Sequence, residues 1–224
     1  MPTLPLIPKG KKIKYLTVGA LFFFTFYLGS AFWGLPRAHL IGFSWLDEQI
    51  PFLPWTVWFY TSQYFVLPTS FILVQKKENY SHMYYSMLAA IITSCMVFFF
   101  YPTVIQRPEE LDSGVVDTVR WLLYKVDAPT NCFPSLHVAF ACLSSLYVMR
   151  EHRLLGALSW VWSILIIIST MTLKQHYVID VMGGMIVAFL SYHLTLALIK
   201  GTLTTWPKGN LIAPQKHTKN TKPT

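Results

Sequence analysis

The sequence predicts an all-α, polytopic membrane protein with six transmembrane helices and both termini cytoplasmic. Two observations carry that expectation. Six long apolar segments are separated by polar turns, and basic residues gather on one side of the alternation. Of the 224 residues, 54% are hydrophobic and 12% charged, whereas a soluble domain carries about 25% charged residues and no repeated apolar runs of this length. The net charge of +8 does not mark a nucleic-acid partner. The basic residues sit at segment ends and in the termini, where they report topology and meet anionic lipid headgroups. Cys95, Cys132 and Cys142 make no disulfide framework, and no Cys/His cluster points to zinc.

Residues 1–14 read as a basic cytoplasmic N-terminus, with Lys9, Lys11, Lys12 and Lys14 just before the first span, Leu16 to Trp33. A loop from Leu35 to Pro51 carries Arg37, Asp47 and Glu48. The second span, Phe52 to Val74, contains Pro68, which implies a kink whose freed carbonyl needs another partner. The third span runs from Met83 to Tyr101, and Arg107-Pro108 lie just past it. In the long connection from Pro102 to Phe133, Val115, Val119, Leu122, Leu123 and Val126 recur at helical spacing. They predict one amphipathic helix, lying in the membrane interface or packed over the bundle. Pro134 opens the fourth span, which ends near Arg150, and proline is favourable in a first turn. The fifth span covers Leu154 to Leu173 and the sixth Tyr177 to Ile199. The six-helix membrane domain is therefore expected over 15–200, followed by a polar, disordered cytoplasmic tail over 201–224. With both termini inside, the inner side holds thirteen lysines and arginines and the outer side five (Arg37, Arg107, Arg120, Lys125 and Lys174), as the positive-inside rule requires.

That topology brings three polar stretches to one outer face: Arg107-Pro108, Pro134-Ser135-Leu136-His137, and Lys174 to Asp180. Phosphate chemistry explains their residue types. Arg107 offers a planar fork of donors, and the start of the fourth span offers backbone N–H groups beside the Ser135 hydroxyl. At helical spacing His176 and Asp180 share a face, so the carboxylate can fix the imidazole tautomer and leave the other nitrogen to attack. A His–Asp pair that only satisfies itself at a helix end is the plain alternative. His137 can protonate a leaving oxygen. Asn131 and Asp127 border this stretch, in helix-start roles or in contact with substrate. Gly183-Gly184 fit close helix packing better than catalysis.

In these motifs the chain resembles the type 2 phosphatidic acid phosphatase superfamily, whose pattern is K-x6-R-P, P-S-G-H and S-R-x5-H-x3-D. Arg107-Pro108 match the end of the first motif, Pro134-Ser135 and His137 the second, and Ser169, His176 and Asp180 the third. The resemblance covers about residues 83 to 190, and it implies six spans around an outward-facing site. It also implies His176 as nucleophile, Asp180 as its orienting partner, His137 as general acid, and Arg107 and Ser135 as phosphate ligands. Phe100, Leu136 and Thr170 stand where the family has lysine, glycine and arginine. Lys174 is a candidate to replace one missing cation, with Arg120 or Lys125 for the other. The Phe-Pro-Ser-Leu-His wording is similar to the branch of inositol phosphorylceramide synthases, in which the phosphoryl headgroup passes to a lipid alcohol.

The expectation is an integral membrane lipid phosphatase that cleaves a lipid phosphate or pyrophosphate ester through a phosphohistidine, without cofactor or metal. A lipid phosphotransferase and a non-catalytic lipid-phosphate binder are the alternatives. A two-histidine, one-carboxylate metal set is disfavoured, because nearby cations oppose a dication. The expected partners are the bilayer and a lipid phosphate. The expected location is a bacterial inner membrane with the site facing the periplasm, or the lumen in a eukaryote.

Overall fold

The computed structural model describes residues 4–41, 44–108, 114–127 and 129–199; the expected tail lies outside them. Eight α-helices account for most of the described chain. Six are long: α1 (Lys12–Gly34), α3 (Val57–Leu73), α4 (Lys77–Phe100), α6 (Leu136–Glu151), α7 (Arg153–Thr172) and α8 (Val178–Leu198). The segments containing α1, α4, α7 and α8 are long and apolar enough to cross a membrane. At about 1.5 Å per residue, the 17 residues of α3 and 16 of α6 are shorter than a hydrocarbon core of about 30 Å.

The helices follow the apolar segments except where polar contacts extend or trim them. Helix α4 starts six residues before Met83. Its extra turn is anchored by Glu151, which accepts hydrogen bonds from the backbone N–H groups of Gln75 and Lys76 and from Asn79 Nδ2. The basic N-terminal stretch is no loose arm at its apolar residues. Ile7 is buried and donates its N–H to Ser81 Oγ at 2.9 Å, and Leu4 N–H bonds the Leu198 carbonyl at 2.7 Å. Helix α3 runs through Pro68 and begins five residues later than expected, after a single 3-10 turn at Pro54–Thr56.

Helix α6 sits centrally, packed against α3, α4, α7 and α8. Lipid offers little hydrophobic drive between helices, so close approach and polar contacts matter more. Ser145 Oγ lies 2.8 Å from both Ser159 and Ser163, and Ser86 joins Tyr147 and Thr195 at 2.8 and 2.7 Å. Such interhelical bonds are worth about 0.6 kcal/mol each. Where α8 crosses the start of α6, a Cβ on Gly183 would stand 2.6 Å from Phe133 Cε2 and one on Gly184 2.4 Å from the Ser135 carbonyl oxygen. The glycine pair therefore sets how closely the His176 and His137 regions approach.

Helix α5 (Val115–Val126) packs one face over the bundle and leaves apolar residues exposed on the other. Leu123 is buried with Val57, Tyr60 and Leu173, while Val115, Trp121, Leu122 and Val126 remain exposed. A short helix α2 (Trp45–Gln49) lies between α1 and α3. One element departs from an all-helical reading: β1 (His39–Leu40) and β2 (Thr103–Val104) pair in parallel, and Val104 also bridges Thr130. Two-residue strands carry no periodicity to read. Here they gather the segments before Arg107 and before Ser135 at one end of the bundle.

Candidate active site

His176 lies in the tight turn between α7 and α8, one residue before the N-cap Tyr177. The turn is held by the Thr170 carbonyl, which accepts from the N–H groups of Gln175 and His176 at 2.9 and 3.0 Å. The expected His–Asp encounter occurs, but through a capping turn and not along a helix face. Asp180 Oδ2 accepts the Tyr177 N–H at 2.9 Å and lies 3.4 Å from His176 Nδ1. One carboxylate thus starts α8 and stands at ion-pair distance from the imidazole, without hydrogen-bond geometry to Nδ1. Asp180 is fully buried, and His176 is only 7% exposed.

Helix α6 brings His137 to meet it. Ser135 caps the helix, its Oγ accepting from Val138 N–H at 3.4 Å, and its own N–H donates to the Asp180 carbonyl at 3.0 Å. That backbone bond ties the second motif to the third. The rings of His137 and His176 lie 6.0 Å apart, centroid to centroid, at 56°. The spacing suits two imidazoles working on one small group held between them.

Arg107 is fixed at the same end of the bundle. Its Nη1 donates to the Asp127 carbonyl at 2.6 Å, and Nη2 stands 3.8 Å from Asp127 Oδ2. It borders a cavity of about 590 Å³ lined by Val104, Ile105, Gln106, Pro108, Tyr124 and Pro129 as well. The open side of that cavity gives a substrate room beside the guanidinium.

Lys174 goes elsewhere. In a left-handed conformation (φ 54°), it donates its ammonium to the carbonyls of Asp47 and Ile50 at 3.0 and 2.6 Å. Burial holds its pKa below the ordinary lysine value against the opposing pull of Asp47. It binds the α2 region to the His176 turn. From the other side, Asp47 Oδ1 accepts the Val178 N–H of α8 at 2.8 Å, and Ser44 N–H donates to Oδ2 at 2.9 Å. Burial pushes the Asp47 carboxyl up, but the bonds from Ser44 and Val178 together with the Lys174 charge leave it below the usual carboxylate value.

Of the other two basic candidates, Lys125 faces Trp121, with Nζ 5.6 Å from the ring. Arg120 is buried and ion-paired to Asp117, and it shares Tyr124 with Arg107: the two guanidinium carbons lie 5.8 and 5.2 Å from that ring. Arg120 therefore comes nearer to the Arg107 environment than Lys174 does. At the positions where the resemblance lacks its usual residues, Phe100 is 76% exposed, Leu136 is buried and Thr170 is fully buried, serving the His176 turn through its carbonyl.

Sequence reasoning missed Tyr27 and Tyr60, whose phenols both donate to Asp127, at 2.7 and 2.9 Å. A tyrosine within an apolar span reads as lipid-facing, and no local signal marks it as a partner for a residue 67 or 100 positions away. Asn131, in contact with the same region, donates Nδ2 to the Tyr27 carbonyl at 2.9 Å.

The family model of the PAP2 superfamily matches residues 31–194. The chain belongs to that superfamily, whose members are in general phosphatase-type enzymes. No curated protein matches the chain significantly in sequence.

Proposed function

We propose that this protein is an integral membrane lipid phosphatase that hydrolyses a lipid phosphate or pyrophosphate ester through a phosphohistidine. The observation that carries the reading is the His176–Asp180 pair facing His137 across 6.0 Å. With Nδ1 beside the Asp180 carboxylate at 3.4 Å, Nε2 of His176 is the atom available to attack phosphorus. The N–P bond forms as the P–O bond to the lipid breaks, and His137 delivers its proton to the leaving oxygen. Water then attacks phosphorus, the N–P bond breaks, and His137 takes the water proton. Arg107, the Ser135 hydroxyl and the first turn of α6 neutralise the phosphoryl oxygens.

The expected setting is six spans with cytoplasmic termini, the site at the periplasmic face of a bacterial inner membrane or the lumenal face in a eukaryote. In that setting α3 and α6 cross the bilayer with help from their flanking turns and local thinning. Lys174 acts as a clamp on the nucleophile turn, and Arg120 supports Arg107 through Tyr124.

A second reading is a phosphotransferase of the inositol phosphorylceramide synthase type, in which a lipid alcohol replaces water. The open cavity beside Arg107 favours it, since an acceptor needs room next to the phosphoryl group. Purified wild type and His176→Ala in mixed micelles, given phosphatidate, an isoprenyl pyrophosphate, or a phospholipid with an alcohol acceptor, separate the two. Free phosphate released by wild type and lost by at least about 10³-fold in the variant supports the phosphatase. Label appearing on the acceptor supports the transferase. Undiminished turnover by His176→Ala sinks the phosphohistidine route.

A further inference from the structure

His137 has a second set of buried partners. Tyr60 of α3 is fully buried beside His137, with ring centroids 4.3 Å apart and its phenol oxygen 3.4 Å from His137 Nδ1. The same phenol donates to Asp127 Oδ2 at 2.9 Å. Tyr27 of α1 donates to Asp127 Oδ1 at 2.7 Å, and Arg107 holds the Asp127 backbone carbonyl and flanks Oδ2. Both oxygens of a buried carboxylate thus receive donors, and an arginine balances its charge.

Proton counting fixes the direction of this chain. A phenol has one proton, and that of Tyr60 goes to Asp127. Towards His137 the Tyr60 oxygen can then only accept, so the proton between them belongs to Nδ1. We infer that Asp127 and Tyr60 form a buried relay that fixes His137 in its Nδ1–H tautomer, leaves Nε2 to exchange a proton with the substrate, and couples this histidine to Arg107. For the task of that proton the inference rests on the phosphoester reading; the tautomer stands without it.

The relay suits a group that is a cation in one step and neutral in the next. When His137 carries a proton on each nitrogen, its charge faces the Tyr60 dipole and the Asp127 carboxylate. Donation from Nε2 to the leaving oxygen returns the neutral Nδ1–H ring, and the water proton later refills Nε2. Asp127 also grips Arg107, so a phosphoryl group drawn to the guanidinium meets a histidine whose orientation the same residue sets. The neighbours facing His137 from other elements are Tyr64, with ring centroids 6.3 Å apart, and His176 at 6.0 Å. Neither forms a hydrogen bond to Nδ1 in this arrangement. Tyr60 and Asp127 are positioning residues.

The test is ¹⁵N spectroscopy of the full chain in detergent micelles with labelled histidine, His137 being assigned by loss of its signals in His137→Gln. The wild type is expected to show the Nδ1–H pattern for neutral His137. Tyr60→Phe keeps the stacked ring and removes only the oxygen, and should lose that pattern. Tyr27→Phe, which touches the carboxylate but not His137, should retain it. An Nε2–H pattern in wild type overturns the relay, as does an unchanged pattern in Tyr60→Phe or an equal change in Tyr27→Phe. On any phosphoester that wild type turns over, Tyr60→Phe should lower kcat about 10–100-fold with KM nearly constant, part of the 10²–10⁴ that a general acid supplies. A wild type that turns over no phosphoester removes the proposed function and leaves the tautomer result standing.

Discussion

The two histidines are held in opposite ways. His176 has its partner close in sequence: Asp180, four residues on, caps α8 and lies 3.4 Å from Nδ1. His137 is oriented from afar, by Tyr60 on α3 and through it by Asp127, with Tyr27 and Arg107 completing the set. On the proposed mechanism, the difference matches two jobs. A nucleophile must keep one nitrogen free and one tautomer through the whole cycle, and a carboxylate fixed by helix capping supplies that with few parts. A proton donor that alternates between cation and neutral ring is better served by a polarisable, partly distant counter-charge. The local arrangement tolerates movement of the helices; the distant one depends on α1, α3 and α6 staying in place.

That contrast ranks the variants. Asp180→Asn removes the charge beside His176 and keeps the shape, and turnover should fall about 10²–10⁴-fold. The loss should exceed that of Tyr60→Phe by at least about tenfold, because Tyr60 acts on a step that a solvent proton can partly serve. Steady-state kinetics of both variants on one substrate checks the order. A larger loss in Tyr60→Phe would reverse the comparison, making the distant network the dominant one.

The same contrast explains what the sequence revealed. The six long segments, the amphipathic helix and the His176–Asp180 pair are all written in local periodicity or in a spacing of four residues, and each could be read directly. Asp127 was singled out only as a neighbour of the second motif, since its hub position depends on tyrosines in other helices. Lys174 had the right sequence position for a phosphate ligand. The turn geometry that sends its ammonium to Asp47 and Ile50 is tertiary, and nothing in the local pattern encodes it. The short β1–β2 pairing was invisible for the same reason.

The joint between the two arms is the α6–α8 crossing. Gly184→Ala would place a methyl group 2.4 Å from the Ser135 carbonyl oxygen, a backbone atom that cannot rotate aside. Helix α8 must then shift, at a cost of about 1–3 kcal/mol, and the Ser135–Asp180 bond that links the motifs should weaken. Gly183→Ala meets a Phe133 ring edge, which can turn, and should cost less. Thermal unfolding in detergent ranks the pair. Equal stability of Gly184→Ala and wild type would mean that the arms are not spaced by this contact.

The smallest expected effect concerns Asp47, which supports the nucleophile arm from outside by capping α8 at Val178. Its carboxyl sits below the usual value in the folded protein, so folding favours the ionised form. The sign is then set: its contribution is fully present above the unfolded carboxylate pKa of about 4, and it is lost as pH falls through the lower folded value. Asp47→Asn keeps one acceptor oxygen for Val178 but removes the charge at the helix N-terminus and the second oxygen that accepts from Ser44, so the difference at neutral pH should be at least about 0.3–1 kcal/mol. Apparent Tm measured in detergent from pH 7 down to pH 3 should show the gap between the two proteins narrowing below about pH 4, as wild-type Asp47 itself becomes neutral. A gap that stays constant over that range would mean that Asp47 acts through shape alone, and that the charge clamp with Lys174 contributes nothing to holding the His176 turn.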